Sequence, residues 1–308
     1  MTGPSKSRAK ISPVARERRP TLHFLREIRA FSPVFLDSDV DMTAVVRHRE
    51  TGHRYSVVTY VLYAVAQALA AHPEANAGIR GRMRPRVARY PSVNGKFTLD
   101  RTMGGQRIVL TTVLPDLQDA SLVDIQRQVD HFRDGDPAVM PEFAGARLLH
   151  KLPMTVGGWL FRMGVRPLTR RATTFGTVAV TSLGHRPVDA FYSVGGTTIT
   201  VGVPRIADRP VVRDGAVVVA PVLRLCLTFD HRVIDGAEAA DLLTDLKQLL
   251  EHFEEPPTGT EPAGTREPGK PALSGELVES GESQEPAAGE ADIRRDSTAE
   301  TVAPVGER

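Results

Sequence analysis

Leu225-Cys226-Leu227-Thr228-Phe229-Asp230-His231-Arg232-Val233-Ile234-Asp235-Gly236-Ala237-Glu238-Ala239-Ala240 is the stretch on which the reading of this chain turns. Its first part continues a strand over 222–229, with Leu223, Leu225 and Leu227 alternating against Arg224, Cys226 and Thr228. Its last part opens an amphipathic helix over 237–253, with Ala240, Leu243, Leu246, Leu249 and Leu250 as the apolar stripe. Between the two the chain must turn sharply, which places His231 at a strand end where a side chain can face a cleft. Asp235, four residues on, can fix such a loop by binding an arginine or backbone donors. Gly236 allows a backbone conformation closed to other residues. A neutral imidazole, with an ordinary pKa of about 6.5, suits removal of a proton from a thiol or hydroxyl near neutral pH. Spacing alone leaves His231 open to either reading, a catalytic base or a structural histidine ahead of an Asp-Gly turn.

Outward from this loop, 177–181, 197–203 and 217–219 are further strand candidates punctuated by Gly or Pro. Thr181-Ser182-Leu183-Gly184 ends one of them and offers two hydroxyls, the kind of donor that an oxyanion requires. The clearest helix is 56–71: it opens on Ser56, is apolar on nearly every side and stops before Pro73, so it belongs in the middle of a domain. A strand over 34–40 and helices over 21–30 and 42–50 precede it. Strands over 96–99 and 107–114 flank the Gly104-Gly105 turn, and 121–133 is an amphipathic helix with Leu122, Ile125, Val129 and Phe132 on one face.

The ends differ from the middle. Residues 1–20 lack periodicity and are basic, and they are expected to form a disordered arm. From 256 to 308 large apolar residues are nearly absent and acids outnumber bases about two to one, so this tail is expected to be disordered as well. The folded unit is then 21–255, a single α+β domain. Basic charge confined to an arm argues against a nucleic-acid surface. The lone Cys226 rules out an internal disulfide, gives no metal-ligand spacing and reads as a small buried hydrophobe. No metal site is expected. With neither a secretory signal pattern nor a spanning apolar run, the expected location is cytoplasmic. Residues 144–171 interleave Leu148, Leu149, Trp159, Leu160, Phe161 and Met163 with six Lys or Arg and no acid. They read first as helix packed on their own domain with arginines toward water; membrane-surface contact is the second reading.

The segment 225–240 closely resembles the active-site segment of the dihydrolipoamide acyltransferase component of 2-oxo acid dehydrogenase complexes and, more distantly, that of chloramphenicol acetyltransferase. Thr181-Ser-Leu-Gly184 is similar to the family's serine-x-leucine-glycine element, and Arg205-Ile-Ala-Asp-Arg-Pro-Val-Val-Arg-Asp-Gly215 to its next hairpin. Phe35-Leu-Asp-Ser-Asp-Val-Asp-Met-Thr43 resembles the first strand, and 60–76 the buried helix. The resemblance implies a two-layer α/β sandwich with a mixed sheet and helices on one side, chloramphenicol acetyltransferase-like, assembled as a homotrimer with active sites between subunits. It implies His231 as general base on the thiol of coenzyme A or dihydrolipoamide, Asp235 as holder of the loop through a salt bridge, and Thr181 of a neighbour as oxyanion donor. The departures are equally specific. No lipoyl or peripheral-subunit-binding segment is recognised ahead of the catalytic unit, so a lipoyl group is expected in trans. Ser193-Val-Gly-Gly196 stands where the family has an asparagine-proline loop, 144–171 is longer than in complex-forming members, and 94–114 lacks the usual acceptor-site residues. The expectation is a stand-alone acyltransferase; the rival is a non-catalytic trimeric scaffold that binds partners through its tails.

Overall fold

The computed structural model describes residues 9, 11–52, 54–81, 83–103 and 105–255, and the expected tail over 256–308 lies outside them. A 3₁₀ turn over Arg16–Arg18 leads into α1 (Arg19–Glu27), so helical structure starts inside the segment expected to be an arm. The cause is tertiary: the Arg19 guanidinium donates to the carbonyls of His150 and Leu152, at 3.1 and 2.7 Å. β1 (Pro33–Asp41) and α2 (Thr43–Glu50) follow as the pattern predicts. Ser56 then caps α3 (Val57–Ala71) by accepting the Thr59 backbone N–H, one of the donors that a helix start leaves unpaired. Tyr60, Leu62 and Leu69 of α3 are fully buried, each contributing about 1.5–3 kcal/mol of burial free energy.

β2 (Ala77–Arg80) and β3 (Arg86–Arg89) form a small separate hairpin, too short for its alternation to stand out in the sequence. β4 (Gly95–Met103) pairs antiparallel with β5 (Gln106–Leu114), and α4 (Leu122–Asp134) is capped by Ser121. The stretch 144–171 breaks at Pro153 and Pro167 into α5 (Ala144–Lys151), α6 (Met154–Val165) and α7 (Leu168–Phe175). β6 (Val178–Ser182) and β7 (Ile199–Val203) run parallel to each other, and β6 also runs parallel to β4. β8 (Ile206–Arg213) turns through Asp214 and Gly215, both at positive φ, into β9 (Ala216–Asp230). The two strands expected over 217–219 and 222–229 are therefore one. Pro221 interrupts nothing, because it stays in register with Asp208 and its carbonyl accepts from the Met42 N–H at 2.8 Å. α8 (Gly236–Glu251) closes the described fold.

The main sheet is mixed, ordered β1-β9-β7-β6-β4-β5, with β8 on the free half of β9. Alternation sorts its faces. Val178 and Val180, Ile199 and Val201, and Leu223 through Phe229 at every second position join α3, α4 and α8 in one core. On the other face, Lys96 of β4 meets Phe24 of α1 and Phe175 of α7. The α3, α4 and α8 layer on the mixed sheet is the sandwich expected from the resemblance, and the cluster of α1, α5, α6 and α7 adds to it at the β4–β5 end.

Candidate active site

Asp230 ends β9 and stops the ladder by turning inward. Its backbone N–H donates to Thr198 O at 2.9 Å, and its own carbonyl accepts from Val233 N at 2.9 Å, which closes the turn. The Asp230 carboxylate is buried and grips Arg232 twice, at 2.8 Å through Nε and 2.5 Å through the terminal nitrogen. It also accepts the backbone N–H groups of Arg232 and Ser32. The adjacent His231 N–H donates to Ser32 O at 3.0 Å, so β1's lead-in and the loop lock together.

These bonds fix where the imidazole points. The His231 side chain is 49% exposed and its Nδ1 lies 3.2 Å from Ile234 O. A carbonyl only accepts, so Nδ1 carries the ring proton and Nε2 keeps its lone pair, as a general base requires. Asp235 Oδ1 lies 3.4 Å from the same Nδ1, a second acceptor on that side of the ring. The Asp235 side chain is 90% exposed and no arginine pairs with it among the described residues. The loop-holding salt bridge expected of Asp235 is therefore made by Asp230 and Arg232, because their short separation places both on the inner side of the turn.

Thr181, near the end of β6, stands level with Gly202 of β7, which stands level with Cys226 of β9. β6 runs parallel to β7 and β9 runs antiparallel to it, so the C-terminal ends of β6 and β9 lie at opposite ends of the sheet. His231 is five residues beyond Cys226, about 17 Å along the strands and about 10 Å across them from Thr181. One chain does not bring the two together. The Thr181 hydroxyl has no hydrogen-bond partner among the described residues, and Thr181 is half-buried. Cys226 is buried, and burial pushes its thiol pKa up, in keeping with a structural role.

The loop ahead of β7 is gripped by Lys96 of β4 and Arg171 of α7, neither of which stood out as a site residue in the sequence. Lys96 is fully enclosed; its Nζ lies 3.8 Å from the Phe175 ring centre and 4.4 Å from that of Phe24, and it donates to Gly195 O at 3.1 Å. Burial and then the nearby Arg171 lower its pKa to about 7. Arg171 donates to the next carbonyl, Gly196 O, at 2.6 Å. Two basic side chains thus clamp consecutive carbonyls of the Ser193–Gly196 segment, two residues ahead of the Thr198 carbonyl that anchors Asp230. Arg232 faces an open cleft of about 580 Å³ lined also by Arg80, Arg166, Arg171 and Glu27, which is a net positive surface beside the histidine loop. Among the described residues no group of three or more His, Cys, Asp or Glu is arranged to hold a metal.

The mixed sheet, its long hairpin and a histidine loop leading into α8 together make up one α+β fold. Over residues 166–256 the chain carries the signature of the 2-oxoacid dehydrogenases acyltransferase (catalytic domain), whose family model matches there. It is 26% identical over 227 residues to the dihydrolipoyllysine-residue succinyltransferase component of the 2-oxoglutarate dehydrogenase complex of Haemophilus influenzae, covering 70% of this chain and 47% of that protein. It is 27% identical over 229 residues to the dihydrolipoyllysine-residue acetyltransferase component of the pyruvate dehydrogenase complex of Bacillus subtilis, covering 70% and 44%. The chain thus spans about half the length of these curated relatives. The crystal structure of a probable dihydrolipoamide acetyltransferase from Listeria monocytogenes has the same fold, with a TM-score of 0.61 at 21% identity, covering 81% of this chain and 97% of that one.

Proposed function

We propose that this chain is an acyltransferase that moves an acyl group between a coenzyme A or lipoyl thioester and an acceptor, with His231 as general base. The observation that carries this reading is the imidazole itself, open to solvent at a strand end with Nδ1 held by a carbonyl. As the acceptor's sulfur or oxygen attacks the thioester carbonyl carbon, Nε2 takes its proton and negative charge gathers on the carbonyl oxygen. A hydroxyl donor steadies that oxyanion, and its collapse expels the thiolate, which recovers the proton from the imidazolium. Thr181 suits the donor role if it comes from another subunit, since its hydroxyl is unengaged and its own His231 lies at the far end of the sheet. A homotrimer with active sites between subunits meets that requirement. The arginine-lined cleft supports a donor that carries phosphates, as coenzyme A does, with a lipoyl group reached in trans.

The test is turnover of the purified chain with a panel of acyl-coenzyme A donors and dihydrolipoamide, compared with His231→Ala. Loss of the base is expected to lower kcat by about 10²–10⁴. Because the ring is half exposed, the unfolding midpoint stays where it was. Equal rates in the two proteins would remove His231 from the chemistry.

A further inference from the structure

α6 has two apolar faces and uses one. Gly157 lies against His23, Phe161 stacks on that ring, and Val165 is buried, so this side joins α6 to α1. Val156, Trp159, Leu160 and Met163 fall at i, i+3, i+4 and i+7 on the other side, 48, 63, 37 and 58% exposed. Single exposed apolar residues need no explanation, but four on one helical face form a patch. Leu148 of α5 is exposed as well.

The surrounding charge identifies what covers it. Residues 144–171 contain no Asp or Glu. Lys151 and Arg170 are exposed and pair with no carboxylate among the described residues. Exposed Arg162 comes no closer than 3.9 Å to Glu27, which Arg166 already engages at 2.8 Å. Two copies of this face would bring like charges together around their apolar centres, which argues against self-association. A partner of opposite sign with an apolar interior satisfies both features, and an anionic lipid surface is one. No described helix is long and apolar enough to cross a membrane, so the fit is a helix lying in the interface plane with Trp159 at headgroup depth.

We propose that the Val156-Trp159-Leu160-Met163 face of α6, with Arg162 on the same helix and Lys151 and Arg170 on the adjoining α5 and α7, docks this protein on anionic membrane surfaces. The docking is independent of the acyl-transfer reading. Trp159 is the sole tryptophan of the chain, so intrinsic fluorescence reports on this face alone. The full chain is mixed with vesicles of equimolar phosphatidylglycerol and phosphatidylcholine, or of phosphatidylcholine only. The expected result is a blue shift of Trp159 and co-sedimentation with the anionic vesicles, both lost at high salt. Val156→Ser with Met163→Ser keeps the probe and is expected to weaken binding at least tenfold, about what two lost apolar side chains cost. Lys151→Glu with Arg170→Glu is expected to weaken it by at least about tenfold. His231→Ala binds as the parent does. The proposal is overturned if the parent fails to sediment with anionic vesicles at low salt, if neutral vesicles bind it equally, or if the charge variant binds as the parent does. A blue shift without vesicles that grows with protein concentration and molecular mass would assign the face to a second copy instead.

Discussion

Asp230 and Arg232 hold the His231 loop from inside, whereas Asp235 stands almost wholly in water. The two carboxylates therefore carry different consequences. Arg232→Ala leaves a buried carboxylate with only backbone donors. The cost should be about 2 kcal/mol in urea unfolding, below the 3–5 of a fully buried pair because the guanidinium is a third exposed. Asp235→Asn should leave the urea midpoint unchanged and lower kcat modestly, since its oxygen meets only the His231 Nδ1 side. A large stability loss at Asp235 would return the clamp to that residue. Lys96 gives a pH prediction. Its folded pKa, about 7, lies below the ordinary 10.5, so between those values the unfolded chain binds more protons than the folded one. Stability should rise as pH climbs from about 7, by at most about 1.4 kcal/mol per pH unit. Lys96→Met, which keeps the ring contacts and removes the charge, should flatten that rise in denaturation curves taken across the range.

At the scale of elements, legibility followed local pattern. Ser56 and Ser121 announced helix starts because capping is decided within one turn, and the alternation of 222–229 announced β9 because its leucines recur at every second position on the core side. The β2–β3 hairpin and the break-up of 144–171 were hidden, since arginine-flanked four-residue strands and Gly-rich apolar runs have no period of their own. The position of His231 between a strand and a helix was legible from the flanking patterns; the clamp of Lys96 and Arg171 was not, because a lysine in an alternating strand reads as solvent-facing and only tertiary packing buries it. The cluster of α1, α5 and α6 is built around His23 and His150, buried rings with unpartnered nitrogens. Burial lowers both pKa values; Arg26 and Arg19 add to it at His23, whereas at His150 Glu17 opposes it and Arg19 adds to it. A depressed histidine value means stability is present near neutral pH and is lost as pH falls below the ordinary 6.5. Acid should therefore loosen α1 and α6 ahead of the sheet, read as amide exchange that accelerates in those helices first. His23→Leu should remove part of that acid response; an unchanged exchange profile would assign it elsewhere. His72 acts oppositely: burial disfavours its charge, but bonds to Asp245 and Glu238 outweigh this and raise its pKa. The α3–α8 contact is thus supported below pH 6.5 and loses that support as pH rises through the raised value.

At the scale of the whole molecule, the distance between Thr181 and His231 decides what assembly must do. Both sit at strand ends of one sheet, but at opposite ends, and no rotation of side chains spans about 17 Å of strand. If Thr181 serves catalysis, each site takes its histidine from one subunit and its hydroxyl from the next, through a head-to-tail contact that closes into a ring. Such shared sites have a signature that a single-chain site lacks. His231→Ala and Thr181→Val subunits should each be impaired alone. When they are unfolded together in equal amounts and refolded as mixtures, a site regains both groups only where a Thr181→Val subunit supplies the histidine and a His231→Ala subunit supplies the hydroxyl. Random assembly makes that arrangement about one site in four, so about a quarter of parental activity should return. Mixing without unfolding should return none, because subunits then keep their original neighbours. If refolded mixtures show only the average of the two variants, the donor is not Thr181 of a neighbour. The oxyanion would then have to be held at the His231 end of the sheet, where Arg80 and Arg232 line the adjoining cleft.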